Sequence, residues 1–185
     1  MHNMDRLHDS KAALSRPPAE APPRRGKRRL KIATQSEFRE KSRIFMYEMS
    51  ECLCRILPAY SQHVQNDLAK LLIVHALGAS NIQRLMATPQ RATYEAMDAH
   101  IPAELQVPSN ALSIADSTGL PRETVRRKLK ELVTSGFVMA DERGGYRLKP
   151  GAVQTDALQA AYFASFKAMM AVLEACLEAR LVEVE

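Results

Sequence analysis

The pattern of apolar and polar positions that organises the chain lies in residues 109–149. Within this stretch, apolar side chains recur at the i, i+4, i+7 and i+8 spacing of one helical face, at Val125, Leu129, Leu132 and Val133. Polar and charged side chains occupy the opposite face. The pattern predicts a helix over 121–135 with one buried side and one outward side.

A shorter helix and a tight turn are predicted directly before this helix. Ala115, Gly119 and Val125 have the spacing of two helices that meet closely, with a small residue at the contact, a glycine in the turn and an apolar residue on the second helix. Pro121 suits the first turn of the second helix, because a backbone N–H at that position would have no acceptor within the helix. Ser135-Gly136 is a typical helix end.

Two short strands are predicted after the second helix. Residues 137–140 and 146–148 have strand-like compositions, and the loop Asp141-Glu-Arg-Gly-Gly145 between them suits a hairpin. Together with one helix upstream, these elements predict a mainly α fold in which a three-helix core carries a short β-hairpin.

The N-terminal part of the folded chain is predicted to be a separate helix. Thr34 and Glu37 have the spacing of a capping box, in which each residue bonds to the other's backbone N–H. The helix is expected to cover 34–57, because Pro58 cannot donate the next backbone hydrogen bond. We expect this helix to take part in dimerisation.

The first helix of the three-helix core is expected at about 59–77 and is predicted to end at Gly78. Residues 80–107 are harder to assign, because Pro89 interrupts a short helical pattern. The sequence therefore predicts a unit spanning 58–151 that contains an insertion at about 80–107.

Residues 152–185 contain no Gly or Pro and are rich in Ala, Leu, Met and Glu, which favours one long helix or two in succession. Their large apolar residues cover more than one face: Leu158, Tyr162, Phe166, Met169, Met170, Leu173, Cys176, Leu177 and Leu181. Such a helix must be covered. The helix at 34–57 offers little surface for this, so we expect a homodimer built from the paired terminal helices.

Residues 1–33 are rich in Pro, Ala and charge and have few large apolar residues, which predicts a disordered tail. A basic cluster lies within it, at Arg24, Arg25, Lys27, Arg28, Arg29 and Lys31. This cluster is expected either to contact the phosphates of a nucleic acid or to be a solvated tail with no specific role.

Composition sets bounds on the class of protein. The chain is 46% hydrophobic and 25% charged, as in ordinary soluble domains, and its net charge of +5 permits a nucleic-acid partner. Three cysteines do not suggest a disulfide framework, and we find neither a signal peptide nor an apolar stretch approaching a membrane span. We therefore expect a cytoplasmic protein with no membrane partner.

Enzymatic motifs are not found in the sequence. None of the patterns GxxxxGK, GxGxxG, HExxH and GxSxG occurs. His63, His75 and His100 lack the spacing of a metal site. The expectation is a protein that is not an enzyme and that uses no cofactor or metal.

The segment 109–149 resembles the winged helix-turn-helix of bacterial transcription regulators, and Gly119 to Leu129 is similar to many of their recognition helices. The order of a helix before the motif and helices after it resembles the MarR-type regulators, as does the acidic-x-arginine sequence Asp141-Glu-Arg143. The resemblance implies a homodimeric, sequence-specific regulator of transcription. Its recognition helix, 121–135, would enter the major groove of double-stranded DNA, and its wing, 141–145, would approach the minor groove.

The outward face of this helix and the hairpin supply the expected DNA contacts. Contacts to base edges are expected from Arg122, Glu123 and Arg127. Contacts to phosphates are expected from Thr124, Arg126, Lys128, Lys130 and Arg147. Arg143, at the glycine-containing tip, is expected to reach the minor groove. The alternative for each arginine is a solvated side chain or an ion pair with Glu123 or Glu131.

Two further alternatives stay open. The methionines of the predicted helices indicate either an adaptable pocket for a small-molecule effector or ordinary core packing: Met46, Met49, Met86, Met97, Met169 and Met170. The alternative function is a winged-helix adaptor that binds protein and does not bind DNA specifically.

Overall fold

The computed structural model describes residues 29–185, which are mainly helical, as the sequence predicts. There are five α-helices in this range, Gln35–Ser61 (α1), Leu68–Met86 (α2), Ala111–Thr118 (α3), Arg122–Thr134 (α4) and Asp156–Glu178 (α5). Three short 3₁₀ helices connect them, at Gln62–Val64, Pro89–Tyr94 and Ala103–Leu105. Four short strands form two antiparallel pairs: Leu30–Ile32 (β1) with Val182–Val184 (β4), and Val138–Ala140 (β2) with Tyr146–Leu148 (β3).

Helix α1 begins at the predicted capping box, where the Thr34 side chain accepts from the Glu37 N–H and the Glu37 carboxylate accepts from the Thr34 N–H. Its predicted end before Pro58 is wrong, because the helix continues through Pro58 to Ser61. The last turn carries Tyr60 and Ser61 into the core, where both are buried. Burial of this turn offsets the hydrogen bond that the proline cannot donate.

Helix α2 begins nine residues later than expected and does not end at Gly78. Asp67 caps its first turn by accepting from the Lys70 N–H at 3.0 Å. Gly78 lies inside the helix, where an added Cβ would stand 3.2 Å from the Leu148 side chain. This glycine therefore permits close packing between α2 and β3. The first quarter of the predicted insertion, residues 80–86, is the last part of α2.

The main core lies between α2, α3, α4 and β2. Its fully buried side chains include Ile73 and Leu77 of α2, Ile114 of α3, and Val125 and Leu129 of α4. The start of α5 joins this core through Leu158 and Ala161. The apolar positions that predicted one buried face of α4 are thus the positions that pack.

A second, smaller core joins α1 to α5 within the same chain. It contains Cys52 of α1 and Ala168, Val172 and Cys176 of α5, together with Leu181. Helix α1 therefore covers part of α5 within the same chain, although the helix at 34–57 was expected to offer little surface for this. Part of the apolar surface of both helices remains outside this contact.

The two ends of the described chain pair with each other. Leu30 lies opposite Val184 in the β1–β4 register. The predicted helical content of 152–185 is wrong at its end, because α5 stops at Glu178 and Arg180 adopts a positive φ of 56° before β4. Residues 30–32, which fall within the predicted disordered tail, form β1. The rest of that predicted tail, residues 1–28 with four of the six basic residues, lies outside the described residues.

Helix α5 also corrects the expectation that no stretch approaches a membrane span. Over Asp156–Glu178 it is long and apolar enough to cross a membrane, by length and composition alone. Part of this helix packs against α1, and helices of soluble cores meet the same criterion. The finding is weak evidence for a membrane segment.

Candidate nucleic-acid interface

Helices α3 and α4 meet at the predicted tight turn. Asn110 caps α3 by accepting from the Ser113 N–H, and Gly119 ends it with a φ of +70°. A residue with a Cβ is strained in this left-handed conformation, which explains the glycine. Three residues later α4 begins at Arg122, and Gly136, with a φ of +73°, follows its end.

The side of α4 that faces away from the core is charged and exposed. Five predicted DNA-contact residues lie there, at spacings of one, three and four residues: Arg122, Glu123, Arg126, Arg127 and Lys130. The buried Val125, Leu129 and Leu132 lie on the other side of the same helix. Thr124 is half-buried at the edge of the exposed face. The structure therefore brings together most of the residues that the sequence proposed for DNA contact.

Two of the exposed arginines form ion pairs along the helix. Arg127 contacts Glu131 at 2.9 Å, and Arg126 contacts Glu123 at 3.8 Å. Such exposed pairs contribute little stability, so a phosphate or a base can replace the carboxylate at small cost. Within residues 29–185, Arg122 and Lys130 form no ion pair.

Lys128 was expected to contact phosphate, but the structure turns it toward α2. Its ammonium lies 2.5 Å from Asp67 and 3.2 Å from Glu131, and its side chain is only 13% exposed. Glu131 also accepts from the buried Lys70 at 2.9 Å. Lys128 is therefore a structural residue, since these pairs set the position of α4 on the first turn of α2.

The carboxyl groups of this network have lowered pKa values. Burial, the largest single influence, would raise the pKa of Asp67, but the hydrogen bonds from Lys128 and from backbone N–H groups, together with the Lys128 charge, outweigh it, so the net direction is downward. Hydrogen bonds from Lys70 and then Lys128 lower the pKa of Glu131. Both carboxylates thus stabilise the fold above their ordinary pKa values of 3.8 and 4.5, and this stability is lost as the pH falls through their lowered values.

We expect Asp67→Asn to lower the melting temperature at pH 7, because the amide cannot neutralise Lys128. The amide oxygen keeps the cap on α2, so the change isolates the charge. The variant should also lose less stability than the parent protein as the pH falls below 4, because one of the carboxyls that titrates there is gone. Thermal melts from pH 7 to pH 3 measure both effects, with Asp98→Asn, an exposed carboxyl outside the network, as control. Equal melting temperatures of parent and variant at every pH would contradict this account.

The hairpin tip is organised by Asp141. Its Oδ1 accepts from the N–H of Arg143 at 3.0 Å and of Gly145 at 2.7 Å. Gly145 is required here, because an added Cβ would lie 2.7 Å from Pro108 Cβ and 2.6 Å from Asp141 Oδ2. The tight turn leaves Arg143 exposed at the tip, as the sequence predicts.

Arg147 lies elsewhere than the sequence suggested. It is half-buried, with Nη1 3.5 Å from the Asp141 carboxylate and Nε donating to the carbonyl of Gln106 at 3.4 Å. It therefore joins the hairpin to the segment before α3 and is not free to contact a DNA backbone.

Sequence reasoning missed the residue that anchors the hairpin, Asn81. Its Nδ2 donates to the carbonyls of Val107, at 2.7 Å, and Tyr146, at 3.3 Å, and its Oδ1 accepts from the Leu148 N–H at 3.0 Å. The side chain is 1% exposed. Its partners lie 26 or more residues away in sequence, and no local pattern marks such a contact.

The side chains that could bind a metal ion are dispersed in residues 29–185. Three or more His, Cys, Asp or Glu side chains do not gather there in a way that would hold a metal ion. Cys52 and Cys176 are buried in the small core, and burial raises the pKa of the Cys176 thiol. Both pack there as small apolar core residues.

Comparison with known proteins leaves the geometry as the basis for assigning a function. The chain matches no family model, and no match is found among curated proteins or solved structures.

Proposed function

We propose that this protein is a winged helix-turn-helix regulator of transcription that binds double-stranded DNA in a sequence-specific manner as a homodimer in the cytoplasm. One observation carries the proposal: the exposed face of α4 is rich in arginine and lysine while its other face is fully packed. The resemblance to MarR-type regulators supports the same function.

In the proposed complex α4 enters the major groove, which is about 12 Å wide and admits a helix. Arg122 and Glu123 lie in the first turn, nearest the base edges, and Arg127 lies one turn later. Arginine recognises guanine by two parallel hydrogen bonds, and glutamate accepts from the cytosine amino group. Arg126 and Lys130 then contact phosphates and set the register.

The β2–β3 hairpin supplies the wing. Its exposed Arg143 stands at a tip held by the Asp141 hydrogen bonds, so the arginine is presented on a rigid turn. Insertion of such a side chain into the adjacent minor groove adds favourable charge contacts there. Lys128 and Arg147 take no direct part, since both are bound within the protein.

The proposed dimer uses apolar surface that α1 and α5 leave uncovered. On α5, Phe163, Phe166 and Met169 share one side of the helix and are 62%, 56% and 57% exposed. Exposed aromatic and methionine side chains in one patch are typical of protein interfaces. A twofold dimer would present two α4 helices to half-sites about one helical turn apart.

Selection of duplexes from random DNA, followed by variant binding, tests the proposal. We expect Arg122→Ala and Arg127→Ala each to weaken binding to the selected site by about 10- to 100-fold and to relax preference at one base position. Arg55→Ala is the matched control, because Arg55 is an exposed helical arginine paired with Glu51 four residues away, as Arg127 is paired with Glu131. The control should bind like the parent protein.

The salt dependence of binding to duplex DNA separates a DNA-binding regulator from an adaptor that binds protein. Phosphate contacts make the affinity fall steeply with salt, with a slope that grows with the number of phosphates neutralised. Removing Lys130 should reduce that slope by about one. Failure of the protein to enrich any duplex, or binding that ignores salt, would reject the regulator and favour a protein partner.

A further inference from the structure

The two arginine ion pairs on the exposed side of α4 differ in what surrounds the carboxylate. Arg126 contacts Glu123 at 3.8 Å, and the Glu123 side chain is 85% exposed and forms no other ion pair within residues 29–185. Arg127 Nη1 donates to Glu131 Oε1 at 2.9 Å, and the Glu131 side chain is only 36% exposed. The acceptor of Arg127 is therefore partly covered by the protein, whereas the acceptor of Arg126 lies in solvent.

The second oxygen of Glu131 is held by two lysines. Glu131 Oε2 lies 2.9 Å from Lys70 Nζ, on α2, and 3.2 Å from Lys128 Nζ. The Lys70 side chain is 8% exposed, and its ammonium also donates to Gln65 Oε1. Lys128 is fixed in turn by Asp67. An unpaired charge inside a protein is strongly unfavourable, so the Glu131 carboxylate is held where it satisfies both lysines.

The pair with Glu131 leaves another edge of the Arg127 guanidinium free. A guanidinium has five N–H donors in a planar fork, and the contact with Glu131 uses Nη1 alone. In the part of the chain that the structure describes, Nε and Nη2 of Arg127 donate no hydrogen bond, and the side chain is 59% exposed. These two nitrogens share one edge of the fork, and guanine is recognised by two parallel hydrogen bonds from such an edge. Arg127 can therefore contact guanine without losing its pair with Glu131.

We infer that Glu131 is a positioning residue for the recognition of guanine, because it holds Arg127 in one orientation from an anchor on α2. The inference rests on the proposed function. An arginine stem has several rotatable bonds, and an unanchored arginine loses this freedom when it binds a base. Arg127 has lost part of that freedom before DNA arrives, which makes its contact with guanine more favourable. A fixed fork also cannot turn toward the acceptors of another base, so the contact becomes more selective.

Glu131→Gln tests this role, because an amide has a single acceptor oxygen and cannot hold the lysines and Arg127 together. The variant is titrated with the selected duplex and with the same duplex carrying another base at the position where Arg127→Ala relaxes the preference. Its preference for guanine at that position should fall by about 2- to 12-fold, the cost of ordering one long side chain expressed as an affinity ratio. Affinity for random duplex should stay equal or rise, because one negative charge is gone.

Two comparisons separate positioning from a loss of stability. Asp67→Asn removes a charge from the same network but leaves Glu131 its two lysines, so it should keep the preference for guanine although its melting temperature is lower. In the Arg127→Ala background, Glu131→Gln should change the preference no further, because Glu131 acts through Arg127. Unchanged preference in the single variant, or a change of the same size with and without Arg127, overturns the inference.

A measurement on the free protein needs no variant to fold. NMR relaxation of the guanidinium nitrogens in the full chain should show the Arg127 Nε–H to be more ordered than those of Arg122 and Arg126. Equal order in the three arginines overturns the positioning role whether or not a duplex is selected. Selection of a duplex with unchanged preference in Glu131→Gln rejects this role alone, whereas selection of no duplex rejects the proposed function and the role with it.

Discussion

Replacing Asn81 by leucine should lower the free energy of unfolding by about 3 kcal/mol, because two partly buried backbone groups lose their hydrogen-bond partner and a third loses one of two. The first two are the Val107 carbonyl and the Leu148 N–H, and the third is the Tyr146 carbonyl, which keeps the Ser109 N–H. Leucine has the same number and branching of side-chain heavy atoms, so the change leaves no cavity and removes the hydrogen bonds. Urea unfolding at pH 7 measures the change.

Gln83→Leu is the control for this prediction, since Gln83 is exposed on the same helix. It should change stability by less than about 0.5 kcal/mol. The Asn81 variant should also exchange the Leu148 amide proton faster than the parent does, because that N–H has lost its acceptor. A variant as stable as the parent, with the Leu148 amide still protected, would show that Asn81 does not anchor the hairpin.

The second large effect is expected at the proposed dimer surface. The double change Phe163→Glu and Phe166→Glu places two carboxylates in an apolar patch that the proposed dimer buries, where an unpaired charge is strongly unfavourable. Sedimentation should then show a monomer where the parent protein is a dimer. Affinity for a duplex with two half-sites should fall by about 10²- to 10⁴-fold, because the second half-site is no longer bound at high effective concentration.

Leu72→Glu is a suitable control for this change, because Leu72 is an apolar residue of α2 that is 48% exposed and lies outside the patch. It should leave the mass and the DNA affinity as in the parent protein. A parent protein that sediments as a monomer, or a double variant that remains a dimer, would reject this surface.

The local pattern predicted the α3–α4 unit well. Val125 and Leu129 recur at helical spacing and are fully buried, and Gly119 has the left-handed conformation that its place in the turn suggested. These properties depend on residues within a few positions of one another. The exposed face of α4 followed from the same spacing, which is why most of the candidate site could be predicted.

The direction of individual long side chains could not be predicted in the same way. Lys128 was grouped with the DNA contacts, but Asp67, some 60 residues earlier, draws it to α2. Arg147 is drawn to Asp141 and to the Gln106 carbonyl. A lysine or arginine stem reaches several partners from one backbone position, so the nearest carboxylate in space decides where the charge lies.

The helix boundaries in the first half of the chain failed for a related reason. Pro58 and Gly78 are common helix ends, and their local preferences predicted two breaks that the structure does not have. Burial of Tyr60 offsets the tendency of Pro58 to end the helix. The close approach of Leu148 explains why Gly78 stands inside α2.

The amino-acid sequence by itself determined the helical periodicity, the caps, the turn glycine and the charged face of α4, because each depends on short-range geometry along the chain. Only the tertiary structure decided which cations stay free, how Asn81 joins α2 to the hairpin, that α1 covers part of α5, and that β1 pairs with β4. Those features depend on groups that are distant in sequence and are brought together by burial of the two cores.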